Sequence, residues 1–210
     1  MGDQENRRPR KELFDRIAPV YGMFFKVQQK NYAFVPELLY KNDIFPPMQI
    51  LDVGCGTGAL LSVLAGSGYR AYGIDRAEDM LKVARWKTRH QMITYFHLTD
   101  ESGLPFPDNA FDVVMSSYVL HGMKKEERLA LYREMKRVAR RRVIIHDYNR
   151  NRSLPTTIIE YLEKGDYFQF IQVAEKEMQE VFGKVTVTHV GKRAAWYVME
   201  TEGPRIRAEA

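Results

Sequence analysis

Apolar positions follow two different periods along the chain. Apolar runs of strand length occur at residues 49–53, 70–74, 93–98, 111–116 and 143–147. Amphipathic segments of helix length lie between them, at residues 59–65, 77–89 and 124–140. This alternation predicts a parallel sheet with crossover helices.

The C-terminal part follows a different pattern. Residues 184–190 alternate at period two, Gly191 and Lys192 form a turn, and residues 193–201 alternate again, which predicts an antiparallel hairpin. A helix at 169–182 precedes the hairpin. The predicted fold class is therefore α/β, with a seven-stranded, mostly parallel sheet and helices on both faces.

Residues before the first strand differ from the rest. Residues 1–11 are charged, and residues 13–45 are helical in pattern with eight aromatic rings, until Pro46 and Pro47 end any helix. The expected domains are a tail and helical aromatic lid at 1–45, one catalytic domain at 46–201, and a tail at 202–210. Within the domain, an insertion at 155–170 is expected to cover the site.

Composition narrows the class of protein. Of 210 residues, 45% are hydrophobic and 28% are charged, which is typical of a globular protein and excludes a disordered chain. The single cysteine, Cys55, excludes an internal disulfide and a thiolate zinc cluster, and we expect no metal site. No apolar run reaches the roughly 18 residues of a membrane-spanning helix. We expect a cytoplasmic protein.

The net charge of +5 is concentrated in one segment. Residues 124–142 hold nine Lys or Arg against three Glu. We expect Leu131, Met135 and Val138 to form the buried stripe of this helix and the basic side chains its solvated face. Arg140 to Arg142 suit the negative end of the helix dipole and need no ligand.

The sequence ILDVGCGTGALL, residues 50–61, places three glycines between a buried strand and a helix. Glycines at such a turn allow positive φ and let a ligand lie against bare backbone. The next strand ends at Asp75, at the spacing where a carboxylate can accept the hydroxyls of a ribose. The two features predict an adenosine-containing ligand. They leave both a dinucleotide and S-adenosylmethionine open, since Gly54, Gly56 and Ala59 also satisfy the dinucleotide pattern.

Three stretches resemble the class I S-adenosylmethionine-dependent methyltransferases, and in particular the group that contains the ubiquinone/menaquinone-biosynthesis methyltransferases. They are LDVGCGTG, YGIDRAEDML, and LTDESGLPFPDNAFDVVMSSYVLHGM, within residues 49–147. The resemblance implies a Rossmann-like fold and S-adenosylmethionine as cofactor. At the N-terminus, FDRIAPVYGMFFKV is similar to the opening of the quinone-pathway enzymes, but Gly22 stands where they usually have aspartate. A Lys-Pro-Gly-Gly turn that is common in the family is also missing before the fifth strand.

The resemblance also implies roles for single residues. The glycine loop would face the methionine part of the cofactor, Asp52 its ammonium, Asp75 the ribose, and Arg76 and Met80 the adenine, although Met80 also suits the core. Aromatic faces such as Tyr21 or Tyr118 could stabilise the sulfonium. The full set of expected cofactor-binding residues is Tyr21, Asp52, Gly54, Cys55, Gly56, Thr57, Gly58, Asp75, Arg76, Met80, Asp100, Glu101, Ser116 and Ser117.

Methyl transfer needs alignment of the reacting atoms, and a base only where the acceptor must lose a proton. The candidates for that base are His121, His146 and Tyr148, since they follow strand ends where ligands of α/β sheets bind. Structural hydrogen bonding is an equal alternative for each.

The sequence predicts methyl transfer to a small, partly apolar acceptor. The alternatives are a nucleic-acid or protein methyltransferase that uses the basic helix at 124–142, and a non-catalytic S-adenosylmethionine-binding protein. A nucleic-acid acceptor is disfavoured because no Asn/Asp-Pro-Pro-aromatic motif is present and the single cysteine lies in the glycine loop. The spacing of Tyr132 and Lys136 resembles a dehydrogenase pair, but the glycine loop does not fit that class. The oligomeric state is not predicted.

Overall fold

The computed structural model describes residues 23–99, 103–149, 167–192 and 194–201. They belong to two compact units, Met1–Glu101 and Ser102–Ala210. The predictions for residues 1–22, for most of the 155–170 insertion and for the C-terminal tail lie outside the described residues. The proposed domain bounds stay a prediction. None of the helices in the described ranges has the length and apolar character needed to cross a membrane.

The first unit has a parallel three-stranded arrangement preceded by two short helices. The helices are α1 (Phe25–Tyr32) and α2 (Val35–Lys41). The strands β1 (Gln49–Val53), β2 (Arg70–Asp75) and β3 (Ile93–His97) alternate with the helices α3 (Ala59–Gly66) and α4 (Glu78–Lys87). β2 lies between β1 and β3, with Leu51 opposite Tyr72 and Tyr72 opposite Thr94.

Burial explains why these residues form these elements. All but the first residue of β1 are buried, which is typical of a parallel strand covered on both faces. Leu61 and Leu64 of α3 are fully buried. α1 packs on α3, and Gln29 of α1 donates a hydrogen bond to Ser62 of α3 at 2.9 Å. α1 is thus held against α3, and the lid role expected of the N-terminal helical segment stays a prediction.

The second unit contains four strands. They are β4 (Phe111–Ser117), β5 (Ala139–Tyr148), β6 (Thr186–His189) and β7 (Ala194–Glu200). β5 pairs in parallel with β4 and antiparallel with β7, which also pairs antiparallel with β6. A 3-10 helix at Leu120–Gly122 follows β4, and the helices are α5 (Lys125–Val138) and α6 (Tyr167–Phe182).

The prediction of a seven-stranded, mostly parallel sheet with a C-terminal antiparallel pair is confirmed. The prediction for residues 139–142 is wrong. α5 ends at Val138 rather than at 140, and β5 begins at once with Ala139, whose backbone is extended. Arg140 pairs with Asp112 of β4 at 2.8 Å and Arg142 with Glu200 of β7 at 3.6 Å, so these arginines lie in a strand and not at a helix end.

The buried stripe of α5 also differs from the prediction. Met135 and Val138 are buried as expected, but Leu131 is half-buried, and Arg128 and Tyr132 complete the stripe. Arg128 is therefore not on a solvated face. Its guanidinium forms two hydrogen bonds with Glu177 of α6, at 2.7 and 2.8 Å.

Candidate functional site

The glycine loop between β1 and α3 has the left-handed backbone that its sequence predicts. Gly54, Gly56 and Gly58 have φ values of 77°, 50° and 76°. The N–H groups of Gly54 and Cys55 both donate to the carbonyl of Ile74, at 2.8 and 3.2 Å. The loop is therefore attached to the end of β2.

Two of these glycines are needed for different reasons. Among the described residues, a Cβ on Gly56 would meet no atom within 4 Å, so the backbone there borders open space in this part of the structure. A Cβ on Gly58 would collide with the hydroxyl of Tyr95 on β3. Gly56 thus suits a ligand that lies against the main chain, whereas Gly58 is required by packing within the protein.

Asp75 lies at the end of β2 and contacts the same loop. Its Oδ2 accepts a hydrogen bond from the N–H of Gly56 at 2.7 Å, and its Oδ1 accepts one from Ala77 at 2.9 Å. A carboxylate can accept about four hydrogen bonds, so a carboxylate at this position can hold the loop and also accept bonds from a ligand. Asp75 is half-buried.

Asp52 at the end of β1 has a buried carboxyl group with one unpartnered oxygen. It is 2% exposed, and its Oδ1 has no hydrogen-bond partner within the part of the chain that the structure describes. Burial, and secondly the nearby Asp75 carboxylate, raise the pKa of Asp52 to about 8. A cation that pairs with this carboxyl would stabilise its charged form.

The other residues of the first unit can be placed beside this loop. Thr57 donates a hydrogen bond to Gln28 of α1 at 3.0 Å, which connects α1 to the loop. Cys55 is buried, and burial raises the pKa of its thiol. Met80 is 3% exposed and packs with Ala77 and Val83 in a small cluster. The carbonyl of exposed Arg76 lies 3.2 Å from Nε2 of His97. Tyr21, Asp100 and Glu101 lie outside the described residues.

A second polar cluster lies at the ends of β4 and β5 in the second unit. Nδ1 of His121 is 2.8 Å from Oδ1 of Asp147, and Nδ1 of His146 is 3.0 Å from the hydroxyl of Ser117. Ser116, next to Ser117, is buried. All three candidate bases, His121, His146 and Tyr148, lie in this cluster.

Aromatic rings pack around the same strand ends. The ring of Tyr148 is 4.8 Å from that of His121 and 5.1 Å from that of Tyr118. Tyr118 has a φ of 55°, a strained backbone for a residue other than glycine. Burial lowers the pKa of His146 to about 4, with a smaller opposite effect from Asp147.

Asp147 and Gln28 are not among the residues that the sequence predicts for the site. The sequence does hold a signal for Asp147, because this residue directly follows His146 at the end of a buried strand. Polar side chains at such strand ends are often part of a ligand site. Gln28 carries no such signal, since a glutamine on an amphipathic helix is common. Its contact with Thr57 depends on how α1 packs.

The comparisons with known proteins agree with this geometry. Residues 51–145 match the family model described as a methyltransferase domain. The chain is 30% identical over 121 residues to an uncharacterized methyltransferase of Staphylococcus carnosus, and the aligned region covers 56% of each chain. It is 30% identical over 144 residues to a demethylmenaquinone methyltransferase of Symbiobacterium thermophilum, which covers 63% of this chain and 57% of the relative. The chain thus spans about half the length of these curated relatives.

Among solved structures, the chain resembles a putative S-adenosyl-L-methionine-dependent methyltransferase from Methanococcus maripaludis. The TM-score is 0.71 at 17% identity, over 92% of this chain and 95% of that one. At this identity the likeness shows the fold alone.

Proposed function

We propose that this chain, as a class I S-adenosylmethionine-dependent methyltransferase, transfers a methyl group to a small, partly apolar acceptor. S-adenosylmethionine supplies that methyl group on a positively charged sulfur. The chain's own residues bind and orient the cofactor and keep water away from the reacting atoms.

The observation that carries this proposal is the unsatisfied oxygen of Asp52 beside an open glycine loop. A buried carboxylate with a raised pKa is costly unless a cation pairs with it. The ammonium of the methionine part is such a cation. In this proposal the backbone at Gly54 and Gly56 faces the methionine part, with Cys55 and Thr57 in the same turn.

Asp75 is proposed to bind the ribose. Its carboxylate is held by Gly56 and Ala77, which fixes its orientation before a ligand arrives. Arg76 and Met80 are proposed to flank the adenine, where Met80 contributes an apolar surface from within its buried cluster. Contacts from Tyr21, Asp100, Glu101, Ser116 and Ser117 remain predictions of the sequence.

A small acceptor is supported by the aromatic surroundings of the strand ends in the second unit. In the second unit, Tyr118 and Tyr148 lie at the strand ends. Flat aromatic side chains are suited to contact with a partly apolar molecule.

The basic segment offers less support for a nucleic-acid acceptor. Arg128 is buried against Glu177, and Arg137 is bonded to Glu134 and Asp108. Lys136 donates to the carbonyl of Val181. Several of its charges are therefore engaged within the protein rather than arranged for phosphate groups.

Calorimetric titration of the full chain tests the cofactor. S-adenosylmethionine and S-adenosylhomocysteine should bind and a nicotinamide dinucleotide should not; the reverse order would refute the proposal.

A second assay measures transfer of a tritiated methyl group to two probes of similar shape, catechol and 1,2-diaminobenzene. Tight cofactor binding without transfer to any acceptor in a wider search would favour the non-catalytic alternative.

A further inference from the structure

A hydrogen-bonded His–Asp pair lies at the strand ends of the second unit. His121 lies in the 3-10 helix after β4, and Asp147 lies near the end of β5. We infer that His121, oriented by Asp147, takes a proton from the methyl acceptor, so that the acceptor is a hydroxyl or an acidic C–H group rather than an amine. This inference rests on the proposed function and adds the class of the acceptor.

Asp147 is built to hold its neighbours in one geometry. It is fully buried, and its Oδ1 lies 2.8 Å from Nδ1 of His121 and accepts from the N–H of Tyr148 at 2.8 Å. Its Oδ2 accepts from the N–H groups of Leu120 and His121, at 3.1 and 3.4 Å. One carboxylate thus fixes both the backbone of the 3-10 helix and the ring of His121.

This geometry decides where the proton of the imidazole lies. A carboxylate only accepts hydrogen bonds, so Nδ1 of His121 is the donor of that contact. In the neutral ring, Nε2 then carries the lone pair and is the proton acceptor. The side chain of His121 is 13% exposed, which is compatible with access from the strand-end side.

The two other candidate bases are less suited to the task. His146 is 3% exposed, and its Nδ1 is engaged with the hydroxyl of Ser117. Since burial lowers the pKa of His146 to about 4, it binds a proton only weakly near neutral pH. Tyr148 packs its ring against His121 and is better placed to orient that ring than to replace it.

The charged and titratable groups around His121 come from several elements. β5 contributes Asp147, His146 and Tyr148, and the turn after β4 contributes Tyr118. α6 packs on the 3-10 helix, and its buried Glu177 is neutralised by Arg128 of α5. Among these described groups, Asp147 is the carboxylate in direct contact with the ring. Its charge stabilises the imidazolium that forms when the proton is taken.

The step balances without a further reactant. The acceptor atom gives its proton to Nε2 of His121 and forms a bond to the methyl carbon. The carbon–sulfur bond breaks, its electron pair stays on sulfur, and the sulfonium becomes a neutral thioether. The imidazolium later loses its proton to solvent. A hydroxyl or C–H group is a poor nucleophile until its proton is taken, whereas a neutral amine can attack the methyl carbon before it loses a proton.

The first test reads the ring of His121 directly. Nitrogen-15 NMR is recorded at pH 8.5 on the full chain with S-adenosylhomocysteine, and the signals are assigned with a His121→Gln variant. We expect a neutral ring with the proton on Nδ1 and, in Asp147→Asn, a shift of population to the Nε2-protonated form. A charged ring, a proton on Nε2 in the wild type, or an unchanged ring in Asp147→Asn would overturn the inference.

The second test uses methyl transfer to catechol. His121→Gln should lower kcat by about 10²-fold or more with little change in KM, and Asp147→Asn by about 10-fold or more. His90→Gln, at an exposed histidine of the first unit, is the matched control and should keep full activity. Equal rates for His121→Gln and the wild type, or faster transfer to 1,2-diaminobenzene than to catechol, would overturn the inference. Calorimetry with S-adenosylhomocysteine distinguishes failure of this inference from failure of the proposed function. The His121→Gln variant should bind S-adenosylhomocysteine normally.

Discussion

The backbone N–H of Gly56 donates a hydrogen bond to Oδ2 of Asp75 at 2.7 Å, so the loop after β1 and the end of β2 form one structure. Asp75 therefore has two functions in the proposed site, since it holds the loop and offers acceptor positions to a ribose. A change at this position affects both at once.

We predict that Asp75→Ala lowers the affinity for S-adenosylhomocysteine by about 10- to 10²-fold, because hydrogen bonds to a charged group contribute about 1.5–3 kcal/mol. Calorimetric titration measures the change. Asp79→Ala is the control, since Asp79 is an exposed acid in the first turn of α4 that pairs with Lys82. An Asp75→Ala variant with wild-type affinity would contradict the ribose assignment.

The raised pKa of Asp52 gives a prediction that involves protons. At pH 7 the free protein holds Asp52 largely protonated, because its pKa is about 8. If the ammonium of the ligand pairs with the carboxylate, its pKa falls and about one proton is released on binding. Titration with S-adenosylhomocysteine in buffers of different ionisation enthalpy counts this proton.

Asp52→Asn should bind more weakly and release no proton from this position. Binding to the wild type without proton release would show that the ammonium does not pair with Asp52.

The same residue affects stability in the absence of ligand. Because the folded pKa lies above the ordinary value of 3.8, the free energy of unfolding should fall as pH rises from about 4 to about 8, and Asp52→Asn should not show this fall.

Gly58 allows the cost of a collision to be separated from the cost of backbone strain. Gly58→Ala should destabilise the protein by roughly 2–4 kcal/mol, because a Cβ meets the Tyr95 hydroxyl in addition to the strain at a φ of 76°. Gly183→Ala, at a φ of 80° with no atom of the described residues within 4 Å of its Cβ, should show the backbone cost alone, about 1 kcal/mol. Chemical denaturation measures both. Tyr95→Phe should relieve part of the Gly58→Ala effect, and equal losses for the two glycines would refute the collision.

Much of the first unit could be predicted from sequence because its signals are local. The apolar run before Gly54 and the acid at Asp75 each mark a strand end. The start of β5 could not be predicted in this way. In VARRRVII the arginines fit the end of a helix as well as a strand, and the choice depends on Asp112 and Glu200, which lie far away in sequence.

The polar contacts of the second unit show the same limit. The candidates His121 and His146 could be named from their places after strands, but only the structure shows that His121 has Asp147 as its partner and His146 has Ser117. Arg128 is the clearest failure of pattern reasoning. On a helix rich in Lys and Arg, nothing in the sequence distinguishes Arg128, whose partner Glu177 lies on another helix.

That buried pair provides the last prediction. Arg128 and Glu177 are 0% and 2% exposed, and Arg128 also donates to the carbonyl of Met123. Removing one partner leaves the other charge buried without compensation, so Arg128→Met or Glu177→Leu should each lower the free energy of unfolding by about 3–5 kcal/mol. The double variant should recover most of that loss, because it buries no charge. Denaturant unfolding of all four proteins gives the coupling energy. Glu37→Gln, in the exposed pair with Lys41, serves as the control and should leave the unfolding midpoint nearly unchanged. Additive losses in the double variant would show that the two side chains do not act as a pair.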